Sequence, residues 1–477
     1  MSIARSGFAA IVLAFVSFAA PAQAQSDETL LLHNVRILHL DREEASVDKA
    51  MSILIEDGRI ASVTPIEKTS EAGVATVIDG HGRFVMAGLT DMHVHIWDRS
   101  SLGAYLASGV TTVRNASGMP FHLRLADRIE RGEIVGPRLI TTGPILNSPG
   151  PNAQINHEMV TTAEEARQAV RRQYEAGFRR LKIYSNLTSE AYEAILHEAG
   201  RLGMTIMGHT PEGVRQPGMP DDIPFEIEFA HILEGGIVTI EHVESIVWHG
   251  LRDRHDADAG RELARQIAAA QVAVDPTLLA FYNLLRVAET QGGYLQREGT
   301  ELLNPILVAQ SQADYERWSG ENIPRNRAAF DFYKRMTRIL SDEGVLLVAG
   351  SDAGIFTNVP GISLIEELEL LEQAGLGRNQ VLRAATINAA KALDEQDTAG
   401  RVAEGYRADL ILLESDPSAD LGALRSISAV VAGGRYLDRA ALDRLLEDAA
   451  IHDLRRTQRN LVEALEAQGV DAGILQP

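Results

Sequence analysis

Near both ends of the chain, short apolar β-like runs are broken by polar turn residues. Leu30 to Leu40 alternates around Val35 and Ile37. Ser52 to Ile55 leads into the turn pair Asp57-Gly58 and then into Arg59 to Val63. This is the pattern of strands joined by tight turns, with no room for a helix between them. It returns at Asp409 to Leu413 and Ile427 to Ala432, before the turn pair Gly433-Gly434. Between these ends the rhythm changes. Short apolar runs occur at Phe84–Ala87, Thr111–Arg114, Arg138–Thr142, Leu181–Tyr184, Thr205–Met207, Ile237–Ile240, Val272–Val274 and Leu346–Ala349. Helical periodicity fills the gaps, as in Ala163–Ala176 and Ser189–Leu202. In the latter, Ser189 suits an N-cap and Gly203 a C-terminal stop. Parallel neighbours need a crossover, so strand-helix alternation implies a parallel sheet. Eight units over roughly 300 residues (85–395) predict an α/β chain with a closed (β/α)8 TIM barrel, an open doubly wound sheet being the rival.

One crossover, 277–340, is much longer than the others and rich in aromatic residues: Tyr282, Tyr294, Tyr315, Trp318, Phe330 and Tyr333. Such a segment serves either as a lid or substrate wall, or as a helical surface insertion. The tail, 439–477, reads as amphipathic helix, with Leu442, Leu445 and Leu446 on one face. At the other end Arg5 precedes an apolar run from Gly7 to Ala20, and Ala22-Gln23-Ala24 offers small residues at cleavage spacing. Residues 1–24 thus predict a signal peptide cut after Ala24, and a periplasmic or secreted protein. A retained anchor is the alternative, although the run is short for a membrane span. No other stretch is apolar enough to span.

Charge and composition narrow the field. A formal net charge of -21 with no basic block argues against nucleic acid as a partner. The chain has no cysteine, which rules out disulfides and thiolate metal sites. A metal would have to be held by histidine, carboxylate or something less usual. In a parallel barrel, functional side chains sit at the C-terminal ends of strands. After the first run comes Thr90-Asp91-Met92-His93-Val94-His95, and residues two apart in extended chain face the same way. The fourth run holds Lys182 between Leu181 and Ile183, where an unpaired lysine is costly unless it snorkels outward or finds an ion partner. The fifth ends in His209, the sixth in His242 and the eighth in Asp352. Four histidines, a lysine and an aspartate at strand ends suit Zn2+ and similar cations. Tyr184, two residues after Lys182, and Asn115, after the second run, are candidate substrate contacts. Glu241 is expected to point away from His242 and to serve structure.

The chain resembles the amidohydrolase superfamily, in particular its imidazolonepropionase-like and prolidase-like members. The likeness rests on Val85 to His95, Thr111-Thr112-Val113-Arg114, Lys182 to Ser185, Gly208-His209-Thr210, Thr239 to His242 and Gly350 to Gly354. Ala384-Ala385-Thr386 with Asn388, and Gly405 to Leu410, complete the series. The resemblance implies a small β-sandwich domain built from 25–84 and 396–438. It implies two divalent metal ions, Zn2+ the first choice. His93 and His95 would hold a buried ion, and His209 and His242 a more exposed one. Lys182, carboxylated by CO2, would bridge the pair, and Asp352 would be both ligand and proton shuttle. The implied reaction is hydrolysis of an amide or related C–N bond in a peptide-like or N-acyl small molecule. A one-metal deaminase or cyclic amidohydrolase, a lactone or ester hydrolase, and a non-catalytic binding protein are the alternatives, and a homo-oligomer is left open. Prolidase-like relatives carry Gly-Gly-His after the third strand. Here Ile145 to Pro151 stands instead, with His157 the next histidine, and that contact does not transfer.

Overall fold

The computed structural model describes residues 29–42, 44–151, 153–154, 156–214 and 224–470. The expected leader lies outside them. Five strands open the described chain: β1 (Leu30–His39), β2 (Ser46–Glu56), β3 (Arg59–Pro65), β4 (Thr76–Asp79) and β5 (Phe84–Ala87). Nine more occupy the middle: β6 (Leu89–Val94), β7 (Val110–Asn115), β8 (Arg138–Thr141), β9 (Ile145–Asn147), β10 (His157–Met159), β11 (Arg180–Ile183), β12 (Thr205–Gly208), β13 (Ile237–Glu241) and β14 (Ala273–Asp275). Three close the series: β15 (Leu410–Leu413), β16 (Ile427–Ala432) and β17 (Arg435–Asp438).

The two β-rich ends join in one eight-stranded sheet, ordered β17-β16-β15-β5-β1-β2-β3, with β4 beside β1. The link between the ends is β5, parallel to β1 and antiparallel to β15. β15 reads Leu-Ile-Leu-Leu because both its faces are covered. Leu410 and Leu412 pack with Leu32, Ile37, Ile53 and Val431, while Ile411 and Leu413 enter the large central core. This corrects one reading of the sequence. Phe84–Ala87 is a strand of the flanking sheet, and the strand that carries His93 is β6, which begins two residues later. The chain changes sheets at Gly88, where a Cβ would stand 2.2 Å from Thr111 Oγ1.

The middle of the chain is mixed α/β with parallel sheets. β6, β7 and β8 form one, and β10-β9-β11-β12-β13-β14 the other. A few backbone hydrogen bonds connect them, on one side through residues 346–353. Gly143 N donates to Arg180 O over 2.9 Å, tying the end of β8 to β11. On the other side, Val274 N donates to Leu346 O over 2.9 Å, and Met92 N to Ala349 O over 2.9 Å. The predicted eighth strand therefore has one isolated bridge, Leu347 to Val274, with a second at Ala353 to Val94 beyond it, and is not a regular ladder. Three residues beyond that run, Asp352 has a φ of 54° and lies outside the extended region.

Both foreseen helices form. Thr162 caps Ala163–Ala176, its hydroxyl accepting from Glu165 N while Glu165 reaches back. Ser189–Leu202 is capped by Thr188, one residue earlier than expected, and stopped by Gly203 at φ 66°. The long crossover folds into helices including Leu278–Glu289 and Ile323–Asp342. No helix among the described residues is long and apolar enough to cross a membrane.

Candidate metal centre

The six charged or imidazole side chains singled out in the sequence line one cavity of about 400 Å³. β6 supplies His93 and His95, β11 supplies Lys182, and His209 comes directly after β12. His242 comes directly after β13, and Asp352 sits beyond the bridge to β14. His95 Nε2 lies 2.9 Å from Asp352 Oδ1, and His93 Nε2 lies 3.4 Å from the same oxygen. His93, His95 and Asp352 form a group of ligand atoms that could hold one metal ion, all within 4.8 Å of one another. The His242 ring lies 4.9 Å from that of His93 and 4.5 Å from that of His209.

Each imidazole has an oxygen beside Nδ1, which leaves Nε2 as the remaining nitrogen. His95 Nδ1 is 2.9 Å from Ser117 Oγ, His209 Nδ1 3.2 Å from Ser245 Oγ, and His242 Nδ1 2.5 Å from Thr277 Oγ1. His93 Nδ1 is 3.0 Å from Glu241 Oε2, out of hydrogen-bond alignment. Partners of this kind set the tautomer and the ring orientation of metal-binding histidines. Burial also favours the neutral, ligating form. Desolvation, helped by nearby Lys182 and the other imidazoles, drives His93 and His209 well below the usual histidine range. Burial takes His242 down to about 4, against the pull of Asp352.

Lys182 is 1% exposed, and among the described residues it makes no ion pair. Its Nζ stands 3.4 Å from His93 Nε2. Burial lowers its pKa to about 8, although Glu241 and Asp352 pull upward. Asp352 shows the opposite balance. Burial raises it, but the hydrogen bond and charge of His95, with His242 and Lys182 nearby, hold it below the ordinary carboxylate value.

The structure corrects two expectations. Asn115 does not face the cavity. Its Oδ1 accepts from Ile96 N over 2.9 Å and its Nδ2 donates to Thr141 Oγ1 over 3.1 Å, so it staples neighbouring strand ends. Glu241 does not turn away. It is fully buried, close to His93 on one oxygen and bound to Arg114 Nη2 at 2.7 Å on the other. The positive φ of His242, 68°, breaks the alternation that would have put residues 241 and 242 on opposite faces. Tyr184 does line the cavity, its ring 4.0 Å from that of His209 and 4.6 Å from that of His157.

Sequence reasoning missed three groups. His157 lines the cavity, and burial takes its pKa down to about 3. Asp275, at the end of β14, stands in a buried group with His93 and Glu241, and burial beside Glu241 holds it well above the carboxylate range. Asp91, in the strand between the sheets' meeting point and His93, accepts from Ser351 N at 3.0 Å and Ser351 Oγ at 2.5 Å, fixing the approach to Asp352. Its position two residues before His93 was the available signal. The long crossover contributes Phe281 and Leu284 to the cavity wall. Its Tyr333 and Trp318 stand behind the wall, packed on Phe281 and Phe356.

The model of the amidohydrolase family matches residues 84–437, which include all six side chains. The chain belongs to the amidohydrolase family. It is a hydrolase acting on carbon–nitrogen bonds. Two solved structures show how this amidohydrolase compares with others. A protein from Bifidobacterium longum, described as a candidate prolidase, is 26% identical, with TM-score 0.64 over 89% of this chain and 100% of that one. A bottromycin amidohydrolase is 25% identical, with TM-score 0.70 over 94% of this chain and 92% of that one. Among curated proteins, the enamidase of Eubacterium barkeri is 34% identical over 93 residues. That stretch is 18% of this chain and only 24% of the enamidase, and neither the enamidase's activity nor its substrate is carried over from it.

Proposed function

We propose that this amidohydrolase is a binuclear metal-dependent enzyme that hydrolyses an amide or related C–N bond in a peptide-like or N-acyl small molecule. The observation that carries the reading is the meeting of four imidazoles, one lysine and one aspartate in a single buried cavity. The same reading takes the parallel sheets as a closed (β/α)8 barrel and the flanking sheet as the small second domain, as the family's fold implies. It also takes residues 1–24 as a signal peptide, hence a periplasmic or secreted enzyme.

The donor set fits two divalent cations, with Zn2+ the first choice. His93, His95 and Asp352 would hold one ion, His209 and His242 the other, and Lys182 would reach both. Bound there, the cations would make a shared water acidic and polarise the scissile carbonyl. Lys182 supports this through its own chemistry. A buried, unpaired ammonium is costly, and a lysine lowered to about 8 is readily deprotonated. The neutral amine nitrogen can then bond to CO2 with loss of one proton. The carbamate would exchange the buried cation for an anion suited to hold metal ions.

Asp352 does the proton work. Held low by His95, it is a carboxylate near neutral pH and can take a proton from the attacking water. The same oxygen can deliver that proton to the leaving nitrogen. Tyr184 and His157 lie on the cavity wall where a substrate's polar group would meet them. Phe281, Leu284, Ile355 and Phe356 offer an apolar surface for its side chain.

One observation favours a second reading. His93, His95 and Asp352 form a tight three-ligand group, whereas His209 and His242 lie outside it. That is the donor pattern of a single-ion enzyme. Carbon-13 NMR of protein prepared with labelled bicarbonate separates the two. A carbamate signal lost in Lys182→Met supports two bridged ions, and its absence from metal-loaded wild type supports one. Screening N-acyl amino acids and dipeptides, with lactones as controls, tests the reaction. Turnover of lactones alone would overturn the C–N assignment of substrate.

A further inference from the structure

The helix Leu454–Ala467 lies beyond the residues matched by the family model, which end at 437. It nevertheless grips the segment just after His95. Arg456 Nη2 donates to Asp98 Oδ1 over 2.6 Å and Arg456 Nε to Asp98 Oδ2, on a carboxylate only 2% exposed. One turn further along, Asn460 Nδ2 donates to Trp97 O over 3.0 Å. Between them, Thr457 Oγ1 accepts from buried Asn304 Nδ2 over 2.9 Å, which anchors the helix to the long crossover.

From Trp97 the contacts lead to both sides of the His95–Asp352 pair. The Trp97 indole Nε1 donates to Gly354 O over 2.9 Å, two residues past Asp352. Its ring stacks near that of His95, 15° from parallel at 6.4 Å. Gly354 itself is pressed on His95, for a Cβ there would stand 1.9 Å from His95 O. Two strand ends this close share any displacement of Trp97. The helix also borders the surroundings of the other His95 ring nitrogen. Leu461, Ala464 and Leu465 share the lining of one crevice with Ser117, Gly118 and Met119. Ser117 Oγ is the group 2.9 Å from His95 Nδ1.

The geometry points to this C-terminal helix, acting through Arg456 and Asn460, as the positioning element for the His95–Asp352 half of the metal centre. The inference rests on the metal reading above. Metal ligands must be held within a fraction of an ångström, and groups behind the ligands typically change metal affinity 10- to 100-fold. A bidentate guanidinium fixes Asp98 in direction as well as distance, which a lysine would not.

The test uses full-length protein stripped of metal, with Co2+ as the probe. Binding is followed by the visible absorption of the protein-bound ion, and melting is recorded without metal. Trp97→Phe keeps an aromatic side chain but gives up the Nε1 donor together with part of the indole's bulk, and Asn460→Leu removes only the amide. Both are expected to weaken Co2+ binding about 10- to 100-fold and to alter its absorption band, beyond any fall in melting temperature from the lost packing. Arg456→Met should do the same, and Arg456→Lys should recover part of the loss. Arg124→Ala breaks an exposed pair to Glu463 on the same helix (2.7 and 2.6 Å) and should leave the Co2+ spectrum intact. Wild-type affinity and spectrum in both Trp97→Phe and Asn460→Leu would overturn the positioning role, whatever their melting temperatures. Failure of the wild type to bind Co2+ would instead overturn the metal reading on which the role depends.

Discussion

β11 and β15 are both four-residue strands pressed into the centre of the protein, yet they are built on opposite terms. In β15 every side chain is apolar and buried, and alternate residues fill two separate cores. In β11, Leu181 and Ile183 join the same central core, but between them Lys182 turns into the cavity, 1% exposed and without an ion pair among the described residues. Each residue of β15 lowers the free energy of the fold. Lys182 raises it, and a sequence keeps such a residue where the position serves chemistry. The stable strand and the costly one lie in the same molecule, and substitutions can set them against each other.

The largest effect is expected at Asp352. Asp352→Asn keeps the size of the side chain and removes the proton acceptor, so kcat should fall roughly 10²- to 10⁴-fold with the far-ultraviolet circular dichroism unchanged. Next come the two strands themselves. Leu412→Ala should cost about 2–5 kcal/mol in chemical denaturation and leave the turnover of the remaining folded protein near wild type. Lys182→Met should do the reverse, with turnover lost and metal-free stability equal or higher. If Lys182→Met instead destabilised the metal-free protein as much as Leu412→Ala does, the contrast between the strands would fail.

A smaller effect comes from the lysine's titration. With its pKa lowered to about 8 from 10.5, the unfolded chain holds more protons than the folded one between those values. The metal-free wild type should therefore gain stability as pH rises across that window, while the penalty stays constant below it. Measured against Lys182→Met, the gain is on the order of 3 kcal/mol. A flat difference curve would show that Lys182 titrates normally. Smallest is Thr188→Ala, which removes the cap of the helix behind β11 and should cost about 1 kcal/mol without touching turnover.

Much of this contrast is legible in the sequence. Asp409–Leu413 reads as a strand, and a lysine between Leu181 and Ile183 reads as a costly residue that must snorkel, find an ion partner or serve chemistry. The histidines and Asp352 stand at the C-terminal ends of their runs, where a parallel barrel gathers its functional side chains. What stayed hidden has physical causes. Leu89–Val94 carries Thr90, Asp91 and His93, so it does not read as apolar, and the preceding Phe84–Ala87 took its place. Glu241 was assigned outward because alternation assumes extended backbone, and His242 departs from it at φ 68°. Asn115 sits at a strand end like the true cavity residues, but its amide is consumed by Ile96 and Thr141, which only three-dimensional proximity reveals. His157 and Asp275 gave no spacing signal, since their partners lie on other strands.

The central claim is a two-ion centre bridged through Lys182, and a metal count on purified protein tests it most directly. Full-length wild type and Lys182→Met, loaded in the presence of bicarbonate and dialysed, are measured by elemental analysis. Two ions are expected per wild-type chain and at most one in the variant. One ion in both, or two in both, would contradict it.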